Sequence, residues 1–122
     1  MFINISNHPS TIWHVNQIEA ARYYGDIVDI PFPNISPQID TEEMKPVVDD
    51  YLQKIVTSAN GLTESIVVHV MGESVFSFML VAALLKKNYK VVASTTERIV
   101  SYEGDVKRTE FKFVRFREYK LE

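Results

Sequence analysis

The chain has 122 residues, 46% of them apolar and 24% charged, with a formal net charge of −3 and no cysteine. That length predicts one domain spanning 1–122, and the balance of charge excludes binding of duplex nucleic acid by bulk electrostatics. The lack of cysteine excludes disulfides and thiolate metal sites and points to the cytoplasm, and no apolar run approaches the ~20 residues of a membrane span.

Taken in order, Met1 to Ile5 reads as a short central strand. A helix follows from His14, a modest N-cap with Gln17 three residues on, and Gly25 is placed to close it. Ile27 to Ile30 predicts a second strand, broken by Pro31 and Pro33. Met44, Val47, Val48, Tyr51, Leu52, Ile55 and Val56 have helical spacing, with Pro46 marking the first turn or a kink and Asn60-Gly61 the end. Ser65 to Val70 is a buried strand. Phe76, Met79, Leu80, Ala83 and Leu84 form the inner face of a third helix ending at Lys86 and Lys87. Lys90 to Ser94 predicts a fourth strand, and Ile99–Tyr102 with Glu110–Tyr119 a hairpin turning through Glu103-Gly104-Asp105. The expected fold class is α/β: a Rossmann-like three-layer sandwich with a mostly parallel sheet and an antiparallel C-terminal hairpin.

Three polar clusters follow strands in this scheme, and parallel strands would bring them to one edge, where ligands of open α/β sheets bind. Ser6, Asn7, His8 and Ser10 form the first, with His8 the best-placed acid or base. Met71, Gly72, Glu73 and Ser74 form the second; Gly72 would let backbone approach a ligand, and Ser74 would cap the third helix. Ser94, Thr95, Thr96 and Arg98 form the third, with Arg98 the strongest phosphate candidate. The bland alternatives are loops bonded to their own backbone, a capping serine, and an arginine paired with Glu97 or Glu73. His69 reads as a satisfied core histidine and His14 as a cap. Phe32, Phe76 and Phe78 read as core, and Arg115 and Arg117 share a strand face with Phe111, Phe113 and Tyr119. No metal-binding spacing and no glycine-rich nucleotide motif is present. No cofactor is expected.

Charge is uneven: Asp40 to Asp50 is acidic and Lys107 to Lys120 basic. Solvated faces explain this, as does electrostatic self-association.

The stretches Ile3–Ser10 with Trp13, Phe32-Pro33, His69–Glu73 and Ala93–Arg98 resemble the small stand-alone CARF-like proteins of type III CRISPR systems, CARF being the CRISPR-associated Rossmann fold. The resemblance covers nearly the whole chain. It implies a homodimer that binds a cyclic oligoadenylate messenger, chiefly cyclic tetra-adenylate, through the three clusters. Some members of the group are metal-independent ring nucleases, in which a ribose 2′-hydroxyl attacks the adjacent phosphate. Here His8 and Arg98 would carry such catalysis, yet no lysine lies in the clusters. The expectation is therefore a protein that sequesters the messenger and dampens antiviral signalling, in dimers open to ligand-linked assembly. A ring nuclease and a structural or protein-binding module without nucleotide are the alternatives.

Overall fold

A computed structural model describes residues 1–122. The elements are β1 (Phe2–Ser6), a 3-10 turn (Ser10–Ile12), α1 (Val15–Arg22), β2 (Ile27–Asp29), α2 (Thr41–Ser58), β3 (Val67–Met71), α3 (Ser74–Lys86), β4 (Lys90–Glu103) and β5 (Val106–Glu118). They build one five-stranded sheet of order β2-β1-β3-β4-β5. β1 through β4 are mutually parallel, and β5 runs antiparallel to β4. The fold is the expected Rossmann-like α/β sandwich.

Every residue of β1 and the first four of β3 are buried, as parallel strands covered on both faces must be. Alternation sends Ile3, Ile5, Val68, Val70 and Val91 to one face, where Met44, Val48, Tyr51 and Ile55 of α2 and Phe76, Leu80 and Leu84 of α3 complete the main core. Phe2, Val67 and Val92 point to the other face, against Ala21 of α1 and the partly buried Trp13, Tyr24 and Phe116. The two faces are unequally covered. α1 has 8 residues and α2 has 18, about 12 Å against about 27 Å of helix.

Several local expectations change. β4 does not stop at Ser94 but runs on to Glu103 in the hairpin, 14 residues in all, so the third polar cluster lies within a strand. The hairpin turns through Gly104-Asp105, and Gly104 at φ 62° suits the first position of a tight two-residue turn. α2 begins at Thr41, capped by Asp40, whose Oδ1 accepts from the Thr41 N–H at 2.8 Å. Pro46 therefore lies inside that helix, on its exposed side. Phe76 is core, whereas Phe78 is 74% exposed.

An irregularity between Thr95 and Thr96 of β4 leaves Val114 of β5 without an opposite residue, since Thr95 pairs with Arg115 and Thr96 with Phe113. Such a bulge shifts the alternation by one. Phe113 and Phe116 consequently lie on the same face, their ring centroids 4.8 Å apart. Arg115 and Arg117 then fall on the opposite face with Tyr119, not with Phe111 and Phe113 as simple alternation predicts. Tyr119 anchors that side, its hydroxyl donating to the Val70 carbonyl at 3.0 Å.

Candidate functional site

On the α1 face of the sheet, at the C-terminal ends of the parallel strands, lies a cleft of about 650 Å³. The floor comes from alternate positions of three adjacent parallel strands: Ser6 on β1, His69 and Met71 on β3, Ser94 and Thr96 on β4. One wall is Asn7, His8, Ile12, Trp13, His14 and Gln17, from the connection after β1 and the start of α1. Phe111 and Phe113 of β5 form the other. Asn16 holds the two walls together by donating its side-chain N–H to the Phe113 carbonyl at 3.1 Å.

Beneath this cleft runs a hydrogen-bond chain whose direction can be deduced. The Asn4 side-chain N–H group donates to the His8 carbonyl at 3.0 Å and to Asp29 Oδ1 at 2.8 Å, which fixes the amide orientation. Asn4 Oδ1 is then an acceptor, shared by the Ser6 hydroxyl at 2.9 Å and His69 Nδ1 at 2.8 Å. His69 must carry its proton on Nδ1, leaving Nε2 as the acceptor toward Ser94 Oγ at 3.2 Å. Burial lowers the His69 pKa to about 4, so the ring is neutral. Phe2 stacks on the imidazole and Trp13 meets it edge-on, with centroids at 6.0 and 5.6 Å.

The chain ends at Asp29. Desolvation pushes its carboxyl up, but bonds from the Ser10 hydroxyl, the Asn4 amide and the Ser10 N–H outweigh it and hold the pKa below the usual value. Ser10 donates to Asp29 Oδ2 at 2.6 Å. It thus fixes the loop after β1 and does not line the cleft.

Seven of the sequence-predicted site residues meet in the cleft: Ser6, Asn7, His8, Met71, Gly72, Ser94 and Thr96. Glu73, Ser74, Thr95 and Arg98, like Ser10, do not. Glu73, and not Ser74, caps α3, its Oε1 accepting from the Phe76 N–H at 2.6 Å. Thr95 Oγ1 donates to the Arg115 carbonyl at 3.0 Å, closing the bulge. Arg98 shares the strand face of Ser94 and Thr96 but sits farther along the hairpin, opposite Phe111 and without a carboxylate partner. The role expected for Gly72 also changes. A Cβ there would lie 2.2 Å from Phe32 Cζ, so the missing side chain makes room for the Phe32 ring.

Sequence reasoning missed Ile12, Trp13, His14, Gln17, His69, Phe111 and Phe113 as cleft residues. His14 stands at the N-cap position of α1 without making a side-chain cap bond, which leaves its imidazole free. His69 is indeed satisfied, yet it is also part of the floor. Its period-two alignment with Asn4 across a parallel pair was the available signal.

The fold and this open face define an α/β protein with a single-sided, sheet-floored binding cleft. Residues 1–117 match the model of the family described as "Uncharacterized protein MJ1673 family", and the chain belongs to that family. No curated protein and no solved structure matches it. No helix is long and apolar enough to cross a membrane.

Proposed function

We propose that the cleft binds a cyclic oligoadenylate, foremost cyclic tetra-adenylate, and that the protein lowers the free messenger by holding it. One observation carries this reading: the lining combines neutral donors with aromatic faces and contains no acidic residue. Asn7, Gln17 and Thr96 offer hydroxyl and amide groups to phosphate oxygens, and Trp13 and Phe111 offer surfaces for adenine. Stacking of a base on an aromatic side chain contributes about 1–3 kcal/mol without demanding a cationic groove. The lining also holds no lysine or arginine to stabilise the extra negative charge of a phosphoryl transition state, which favours holding over cleaving. A two-fold dimer would present two such clefts to a ring of repeating symmetry.

A second reading has a specific observation behind it. His8 and His14 both line the cleft, so two imidazoles are available as base and acid for attack by a 2′-hydroxyl. The second imidazole was not foreseen from the sequence. This reading is a metal-independent ring nuclease, with His8 retained as a catalytic candidate and His14 joining it; Arg98 would reach the ligand only from the hairpin.

The deciding experiment incubates the protein with cyclic tetra-adenylate, first in excess and then limiting, without metal. Products are separated after denaturation, alongside a native binding measurement. Intact ring recovered from a tight complex supports sequestration. Linear products with multiple turnover, abolished by His8→Ala or His14→Ala, replace it with the nuclease. Neither binding nor products overturns both and leaves a module without nucleotide. Light scattering with and without ligand reads the assembly state; an unchanged mass overturns ligand-linked assembly.

A further inference from the structure

We propose that Ser94 is a nucleophile, with His69 as its base and Asn4 as the positioning residue, acting on phosphodiesters that enter the cleft. The proposal stands on the geometry of the cleft floor and does not require the messenger reading.

Three relations support it. Ser94 Oγ lies 3.2 Å from His69 Nε2, within reach for a nucleophile and its base. The opposite ring nitrogen is 2.8 Å from Asn4 Oδ1, which itself can accept but not donate, so Nε2 is the nitrogen without a proton. Asn4 is held in turn by Asp29 and by the His8 carbonyl, so the base cannot rotate without breaking several bonds. A hydroxyl, an imidazole and an orienting amide in this order form the relay expected of an activated serine. His69 is 2% exposed and Ser94 lines the cleft, so the base is shielded while the nucleophile faces the ligand. Burial keeps the ring neutral, and its conjugate acid is correspondingly ready to give the proton back. Met71 Sδ also accepts from Ser94, from the hydroxyl at 2.9 Å and from the N–H at 3.2 Å, so rotation of the unbranched Met71 side chain is the step that gives the hydroxyl proton to Nε2 alone.

The reaction balances without a co-reactant other than water. As the Ser94 Oγ–P bond forms, the hydroxyl proton passes to His69 Nε2. The bond from phosphorus to the leaving oxygen breaks, and that oxygen takes the proton from Nε2. The products are a free alcohol and a phosphodiester between Ser94 and the remaining alcohol. Water, giving its proton to Nε2, then attacks phosphorus and expels Ser94, which recovers a proton. Asn7 and Thr96, lining the same cleft, supply donors for the phosphoryl oxygens. No carboxylate lines the cleft to repel a phosphodiester, and no lysine or arginine lines it to stabilise the transition state, so attack on an unactivated diester is slow and a bound ring is held far longer than it is cleaved.

Two probes without adenine test this, so their failure leaves the messenger reading untouched, and failure of messenger binding leaves this proposal untouched. The first is diisopropyl fluorophosphate, read by intact mass and peptide mapping. The expected result is one adduct on Ser94, fluoride leaving with the proton, and no adduct in Ser94→Ala. The labelling rate should stay within about twofold from pH 5 to pH 8, because His69 is neutral throughout. An unassisted hydroxyl would instead speed up about tenfold per pH unit, through its alkoxide fraction. No adduct at Ser94, or that steep pH dependence, overturns the proposal. The second probe is bis(4-nitrophenyl) phosphate. A burst of about one equivalent of 4-nitrophenolate, absent in Ser94→Ala, supports the assignment to phosphodiesters. Labelling by the first probe with no release from the second overturns that assignment.

Discussion

His69 Nδ1 and Asn4 Oδ1 lie 2.8 Å apart although 65 positions separate them in the chain. The pairing of β1 with β3 creates this contact, since Asn4 and His69 are opposite each other in the parallel register. It neutralises the polarity of two residues that are each 2% exposed. Because the imidazole is buried without a counter-charge, its protonation is coupled to folding.

The first prediction is a stability that depends on acid. His69 has a pKa near 6.5 when unfolded and about 4 when folded. Between these values the unfolded chain binds a proton that the folded chain refuses, so stability rises with pH across that window. The penalty is absent above pH 6.5 and grows as pH falls toward 4, reaching on the order of 3 kcal/mol. Urea unfolding followed by Trp13 fluorescence at pH 4.5 and pH 7 checks this. Equal unfolding free energies would mean that the ring accepts a proton in the folded state.

The second prediction concerns the start of α3. Glu73 satisfies the Phe76 N–H through its side chain, whereas Ser74 makes no such bond. Glu73→Ala should cost about 1 kcal/mol, as loss of a cap typically does. Ser74→Ala, an exposed change, should stay within about 0.5 kcal/mol. Chemical denaturation midpoints of the two variants decide which residue is the cap. The reverse ranking would assign it to Ser74.

How far the sequence revealed this molecule depends on the physical range of each signal. The apolar spacing of α2 and the β-branched run of β3 are local patterns, and both elements form as predicted. Ser74 was read as the cap because Glu and Ser are adjacent at this helix start, and only backbone geometry chooses Glu73 between them. The continuity of β4 was hidden by the polar run from Ser94 to Arg98. Those residues alternate faces in a strand whose outer part is exposed, so they resemble a loop in composition. Val114 carries no local mark of a bulge, yet the bulge decides that Phe116 joins Phe113 over the cleft side. The cleft was legible in its floor, in Ser6, Met71 and Ser94. Its aromatic walls were not, because Trp13 and Phe113 meet the floor only through tertiary packing.

The third prediction follows from the close contact between Gly72 and Phe32. Gly72→Ala places a methyl carbon into the Phe32 ring, with atoms as near as 2.2 Å, and the ring must move. Phe32 also packs edge-on against Phe76, with centroids at 5.3 Å, so its displacement disturbs the main core. The expected cost is about 1–3 kcal/mol, that of overpacking. Phe32→Leu should relieve part of it, so the double variant should lose less than the sum of the single ones. Strict additivity by thermal or urea unfolding would show that the two positions do not contact.

The fourth prediction separates residues in the cleft from those beside it. Trp13 is the only tryptophan of the chain and lines the cleft, so on the proposed reading its fluorescence should change when cyclic tetra-adenylate is added. Asn7→Ala and Thr96→Ala each remove a donor that lines the cleft. Loss of one bond to a charged partner, about 1.5 kcal/mol, corresponds to roughly tenfold weaker binding. Ser10→Ala, Ser74→Ala and Thr95→Ala lie outside the lining, engaged with Asp29, the start of α3 and the β-bulge. Their affinities should remain within about twofold of the parent, since they lose no direct ligand bond. Arg98→Ala distinguishes a contribution from the hairpin: as one copy's cleft excludes Arg98, affinity should fall only if a ligand or a second copy extends past Phe111. A titration in which the three outlying residues matter more than Asn7 and Thr96 would place the ligand on the strand ends and not on the α1 face of the sheet.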